Sequence, residues 1–258
     1  MSILFHEVVF GPVKSRRLGV SLGLNLLPVD YKFCTFNCIY CECGWTRGNS
    51  AQGHKLPSRQ IVSSMLEDKL VNLTSRGMLP DAITFAGNGE PTLHPEFPGI
   101  MEDTIRLRDK YVPEAAVTIL SNSSTLGKPR ILEALKKADK NILKLDTATE
   151  ELFHLINNPA PGITLEGIIN GLKSFNGKLI IQTLFLRGEY QGKVIDNTME
   201  PGLTLWLDRV KEIRPESVMI YPIARETPVQ GIEKISFHEL KEIGKRVEEA
   251  GIKVNVYS

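Results

Sequence analysis

The chain has 258 residues, 42% of them hydrophobic and 24% charged, and its 31 basic and 30 acidic side chains leave a net charge of +1. That is the balance of an ordinary soluble globule large enough for its own core, with no global field favouring nucleic acid or a membrane surface as partner. No apolar stretch reaches the ~20 residues of a spanning helix, and the opening MSILFHEVVFGPVKSRR lacks the order of a signal peptide, so a cytoplasmic protein without membrane contact is expected.

The run Lys14-Ser15-Arg16-Arg17 reads as a solvated loop or a local basic patch. Residues 20–27 alternate apolar with small or polar side chains until Pro28 stops them, which predicts a first strand. A cysteine-rich loop follows. Ser58 then offers an N-cap to a helix with Ile61, Val62, Met65, Leu66, Leu70 and Leu73 on one face, and Gly77 ends it. Residues 82–86 and 115–120 predict buried strands, and Ile131, Leu132, Leu135 and Ala138 mark a helix. Residues 141–146 predict a strand ending in the carboxylate of Asp146. A helix through Leu165, Ile168, Ile169, Leu172 and Phe175 and a strand at 179–186 come next. A helix through Leu203, Trp206, Val210 and Ile213 leads to a strand at 217–221. Ser236 and Glu239 then form a capping box for a helix burying Phe237, Leu240, Ile243 and Val247, and a last strand is expected at 252–256.

Strands alternating with helices predict an α/β protein with a parallel sheet and right-handed crossovers, here a partial (β/α)6-type barrel. No internal repeat or interdomain linker is evident, so residues 1–258 are expected to form a single domain, with a core over 9–230 and a βα extension over 231–258. The longest polar gap, 188–202, is a candidate functional loop. In such sheets function gathers at the C-terminal ends of the strands. The cysteines, a glycine-rich turn, Ser121-Asn122 and Asp146 all fall at that edge.

The four cysteines of the chain stand at 34, 38, 41 and 43. So short a cluster cannot staple a chain of this size and reads as metal or catalytic chemistry. Cys34, Cys38 and Cys41, spaced C-x3-C-x2-C, can hold three corners of a cubane cluster and leave one iron open for a small molecule. Two other readings compete. A structural zinc site could recruit Cys43, His54 or His6, although zinc motifs usually divide their ligands between two separated pairs. An electron-transfer cluster could use Cys43, at the cost of strain between thiols only two positions apart.

Gly87-Asn88-Gly89-Glu90-Pro91-Thr92 closes the second predicted strand and by itself reads as a tight turn. Together with the cysteines it resembles the radical SAM superfamily, which is defined by that cysteine spacing and carries a Gly-Gly-Glu motif that binds the amino group of S-adenosylmethionine (SAM). Here Asn88 is inserted. The GxGEPT form, with an Arg-x-Thr-Pro at 225–228, is similar to the wyosine-type and related Fe–S oxidoreductase subgroup. The resemblance spans about residues 9–230 and is specific at the cysteines and the glycine turn.

The resemblance implies a [4Fe–4S] cluster on Cys34, Cys38 and Cys41, with SAM chelating the open iron and Tyr40 packing near the adenine. It implies SAM contacts from Gly87, Asn88, Gly89 and Glu90, and from Ser121 and Asn122, although Ser and Asn are also common turn formers. Lys144 and Asp146 share one face of a strand, where Asp146 could take ribose hydroxyls or simply pair with Lys144. Tyr221 completes the expected set, with Gln182 and Arg187 nearby, while His94 and His154 read as structural. The implied reaction is reductive cleavage of SAM to a 5′-deoxyadenosyl radical that takes hydrogen from a substrate. The electron donor would be a flavodoxin or ferredoxin, and the substrate a small molecule under a 188–202 lid or a protein loop met by a glycyl-radical-type activase. The wyosine-type tRNA enzymes carry a second cluster, for which Cys43 is the one cysteine left, and the near-neutral charge also speaks against tRNA. A non-catalytic Fe–S or zinc module is the alternative outside enzymes.

Overall fold

The computed structural model describes residues 3–46 and 56–258. His54, a candidate zinc ligand, lies outside the described residues. Strand β1 (Val9–Ser15) pairs antiparallel with β2 (Gly19–Leu24), with a register break between Phe10 and Val13. From β2 onward the main sheet is parallel through β3 (Ala82–Phe85), β4 (Ala116–Ser121), β5 (Lys140–Lys144), β6 (Ile180–Tyr190), β8 (Ser217–Pro222) and β10 (Val254–Val256). The path runs β1-β2-β3-β4-β5-β6-β8-β10 and does not close. This is the expected partial barrel, with β10, from the C-terminal stretch, laid in parallel register on β8.

Parallel strands need crossovers, and each crossover here carries helix. These are α1 (Arg59–Ser75), α2 (Phe97–Tyr111), α3 (Pro129–Leu135), α4 (Glu150–Leu152) followed by α5 (Leu165–Lys173), α6 (Gly202–Ile213) and α7 (Phe237–Glu249). Ser58 caps α1 as predicted, its hydroxyl accepting the Ile61 N–H at 3.3 Å, and Gly77 adopts φ +67° just beyond the helix. Val62, Leu66, Leu70 and Leu73 are buried, whereas Ile61 and Met65, expected on the same face, are exposed. The capping box of Ser236 and Glu239 forms as predicted at α7, but Phe237 lies at the surface.

Side chains alternate across the sheet. One face sends Leu22, Ile83, Val117, Leu143, Ile181 and Val218 into the core beneath the helices, all fully buried. The other face holds a smaller apolar cluster of Ile142, Ile180 and Met219. Two residues further along the same strands that face carries Lys144, Gln182 and Tyr221. The inner surface of the barrel thus turns from apolar to polar toward the C-terminal strand ends.

The 188–202 loop is largely ordered structure. β7 (Lys193–Asp196) folds back antiparallel on β6, and β9 (Ile232–Lys234) pairs on the other side. Asn197 pins the base of this hairpin by donating to the carbonyls of Asp146 (2.9 Å) and Leu184 (2.8 Å). Arg187 is held by Glu239 at 2.6 Å and Asp196 at 3.3 Å, so it is a brace of the hairpin. No helix of the described residues is long and apolar enough to cross a membrane.

Candidate functional site

The loop after β2 carries the cysteines, and backbone bonds from two directions and an ion pair from a third fix its course. Phe33 donates to the Asn88 carbonyl at 2.8 Å and accepts from Glu90 N at 3.1 Å, stitching the loop to the glycine turn. Asn37 N and Ile39 N donate to the carbonyls of Asn158 and Ile156, and Ala160 N donates to Thr35, tying it to the segment after α4. That segment, Phe153–Asn157, is a π-helical turn closed by Asn158 at φ +41°. Arg225 of the Arg-x-Thr-Pro stretch binds Glu42 at 2.6 Å and so braces the loop from outside.

The glycine turn owes its composition to close approach. A Cβ on Gly89, at φ +138°, would lie 1.8 Å from the Phe33 carbonyl oxygen, and one on Gly87, at φ +152°, would lie 2.3 Å from Asn25 Oδ1. Gly89→Ala should therefore cost about 3 kcal/mol or more, from backbone strain and overpacking together. The drop in urea midpoint of the metal-free protein measures it, and an unchanged midpoint would mean the loop and turn are not locked together as described. Asn88 is consumed by the scaffold: its side chain donates to the carbonyls of Phe5 (2.9 Å) and Pro28 (2.8 Å) and accepts from Phe5 N (2.8 Å). Its side chain is thus a scaffold group that anchors the N-terminal segment, and the extra residue of the motif needs no cofactor to explain it.

The loop and the turn enclose a cavity of about 160 Å³. Cys34, Cys38, Cys41, Tyr40, Gly87, Gly89, Glu90, Ser121, Asn122 and Lys144 line it, joined by Lys32, Cys43 and Gln182. Glu90 is buried and saturated. It accepts from Thr92 N (3.2 Å) and Thr92 Oγ1 (2.5 Å), Ser121 Oγ (2.9 Å) and Asn122 N (2.6 Å), so it ties the turn to the end of β4. Burial pushes its carboxyl pKa up against the pull of those donors. Asn122 in turn donates to Cys34 Sγ at 3.3 Å and to Thr35 Oγ1 at 2.9 Å.

Asp146 stands behind the cavity wall. It accepts from Tyr40 Oη, from Asn157 Nδ2 (2.7 Å) and from Leu184 N (3.0 Å), and Lys144 Nζ is 3.4 Å away. The structure therefore favours an internal pair over a ribose ligand: the carboxylate is already occupied and sets the position of Tyr40. Lys144 also donates to Tyr40 Oη at 2.5 Å. Burial works against its charge, yet the Asp146 carboxylate holds its pKa above the ordinary lysine value. Tyr221, half-buried, reaches the cavity only through Gln182, to which its hydroxyl donates at 3.3 Å. His94 bonds the Pro57 carbonyl and the Glu96 N–H, a structural part as expected.

A sequence model of the radical SAM superfamily matches residues 29–196, which takes in both motifs and the strands from β3 to β7. The chain belongs to the radical SAM superfamily. It is 31% identical over 183 residues to the UPF0026 protein MJ1312 of Methanocaldococcus jannaschii, a match covering 69% of this chain and 54% of that protein. It is also 31% identical over 236 residues to a UPF0026 protein of Helicobacter pylori strain J99, covering 90% of this chain and 71% of that protein. The chain thus spans about half the length of the archaeal relative. The structure of TYW1 with a lysine–pyruvate adduct bound superposes with a TM-score of 0.64 at 14% identity, covering 89% of this chain and 73% of that one. That likeness shows the fold.

The radical SAM family uses a [4Fe–4S] cluster and SAM, and the donor set here fits them. All four thiols reach one cavity from one pinned loop; Cys43 stands beside Cys41 and near the Gly87 carbonyl, which leaves Cys34, Cys38 and Cys41 as the set with cubane spacing. Among the described residues no three His, Cys, Asp or Glu side chains gather closely enough to hold a single metal ion. A zinc ion with ligands at ~2.3 Å would need that crowding. Without the cluster, burial pushes the Cys34 thiol up to about 12, against the pull of Lys32. A hydrogen bond from Cys43, helped by Lys32, brings Cys41 down to about 5. Cys43 also lies 3.7 Å from the Gly87 carbonyl. Two residues that the motifs did not flag, Lys32 and Asn157, touch the thiols. Asn157 has no local sequence signal, because an asparagine after a short helix reads as a cap. Lys32 had one: a lysine inside the apolar approach to the first cysteine.

Proposed function

We propose that Cys34, Cys38 and Cys41 hold a [4Fe–4S] cluster and that the chain, acting as one unit from its 9–230 core through the 231–258 extension, is a SAM-cleaving radical enzyme. One observation carries this reading: the thiols of a pinned loop, Cys34, Cys38 and Cys41 among them, line one cavity together with the glycine turn, Ser121 and Asn122. Bound there, the cluster and SAM would supply one-electron reductive cleavage to methionine and a 5′-deoxyadenosyl radical, with the electron drawn from a flavodoxin or ferredoxin.

The chain's own residues supply position and exclusion. Gly87 and Gly89 present bare backbone, so a ligand can approach the turn without meeting a side chain. Tyr40, held by Asp146 and Lys144, forms a fixed wall beside the second and third cysteines. Ser121 and Glu90 hold the end of β4 against the turn, and Asn122 holds Cys34. Gln182, with Tyr221 behind it, lies on the side toward the barrel interior, where a substrate hydrogen would be presented.

Anaerobic reconstitution with iron and sulfide, followed by dithionite and SAM, tests the reading. The expected result is about four irons per chain and steady formation of 5′-deoxyadenosine by chromatography. A four-iron protein that leaves SAM intact would overturn the catalytic reading and leave a metal-binding module.

A further inference from the structure

Each of the three candidate ligand sulfurs faces one side-chain nitrogen, and Cys41 has the Cys43 thiol beside it as well. Asn122 Nδ2 donates to Cys34 at 3.3 Å, Asn157 Nδ2 donates to Cys38 at 3.5 Å, and Lys32 shares the cavity lining with Cys41, the thiolate its charge favours most. Two of these nitrogens are neutral amides. The third is a cation, and it is nearly sealed from water: Lys32 is 2% exposed, among the largest fully buried side chains of the protein. Its ammonium also donates to the carbonyl of Gly44, at 3.1 Å. No carboxylate is paired with it in an ion pair among the described residues.

A buried ammonium is costly unless a negative group faces it. Thiolates bound to a cluster are that group. A cubane core of charge 2+ with three thiolates is already an anion, and one added electron makes it more so. A fixed cation against one of its sulfurs therefore stabilises the reduced form more than the oxidised one. Net charge and hydrogen bonds to the sulfurs are the protein's main controls on such a potential. The low local dielectric lets one buried charge act strongly.

We propose that Lys32 sets the reduction potential of the cluster by holding its positive charge against Cys41, bringing the one-electron reduction within reach of the donor. Its role is positioning: it donates charge to the cluster's surroundings and touches no reacting bond. The inference rests on the cluster assignment above.

The test is a redox titration of the reconstituted holoenzyme, monitored by the paramagnetic signal of the reduced cluster, in wild type, Lys32→Met, Lys32→Gln and Lys32→Arg. Iron and sulfide are counted in each. The expected result is full iron content throughout, with at least a tenfold shift of the one-electron equilibrium against reduction, about 59 mV, in the two neutral variants and little shift in Lys32→Arg. Loaded neutral variants that titrate like wild type would overturn the proposal. So would neutral variants that fail to load while Lys32→Arg loads, since Lys32 would then serve assembly. If wild type itself holds no four-iron cluster, the cluster assignment fails, which is a different result from an unmoved midpoint.

Discussion

Cys38→Ala should reduce 5′-deoxyadenosine formation to background, while Cys43→Ala should keep most of it. The contrast separates two ways of counting ligands. Cys38 is buried, lines the cavity and receives the Asn157 amide at 3.5 Å. On the proposed cluster its removal takes away one of three corners, and the remaining thiol, Cys43, is occupied elsewhere. Cys43 is turned toward Cys41 and the Gly87 carbonyl. As a hydrogen-bond donor to Cys41 it can be lost at modest cost, because Lys32 still serves that sulfur. A protein-saturated cluster for electron transfer would instead need Cys43 as its fourth ligand, so both variants would then lose iron. Measuring iron alongside product in each variant decides the matter. Equal loss in the two would overturn the open-iron reading.

The parts of this site that were legible in the sequence are those whose chemistry is local. Cys34, Cys38 and Cys41 announce themselves by type and spacing, and Gly87 and Gly89 by the backbone freedom they confer. Ser58 and the Ser236–Glu239 box mark helix starts because capping is a contact within one turn. Strand α/β alternation was legible for the same reason, since burial on both faces leaves short apolar runs. What escaped is decided by residues far apart in the chain. Strand β1, which is not among the predicted strands, contains Gly11-Pro12, and the hairpin with β2 tolerates the pair as a register shift. Helix α2 begins Phe97-Pro98-Gly99, which looks like a turn, although proline is well suited to the first turn of a helix. Asp146 was open to two readings, a ribose ligand or an internal pair with Lys144; only the return of Asn157 and Leu184 to its side shows that its acceptor sites are taken. The 188–202 stretch looked like a free polar lid because its pairing partner, β6, is a strand longer than its apolar part.

Asp146→Ala should destabilise the metal-free protein by about 3–5 kcal/mol, the cost of breaking a buried ion pair from one side. The side chain of Asp146 is fully buried and that of Lys144 is 13% exposed, so little water can compensate the lysine once the carboxylate is gone. The same deletion orphans the Tyr40 hydroxyl, one donor of Asn157 and the Leu184 N–H, each of which would carry its own penalty for an unmet buried donor. Urea unfolding of the metal-free chain measures the total. Adding Lys144→Met to Asp146→Ala removes the stranded charge and should recover part of the loss, a coupling that independent sites would not show. The consequence for the site runs through Tyr40 and Asn157. With Asp146 absent, both lose the partner that holds them beside Cys38, so the single and the double variant should each load iron less completely than wild type. A loss below about 1 kcal/mol, the scale of an exposed ion pair, would mean that Asp146 is open to solvent and free to bind a ligand.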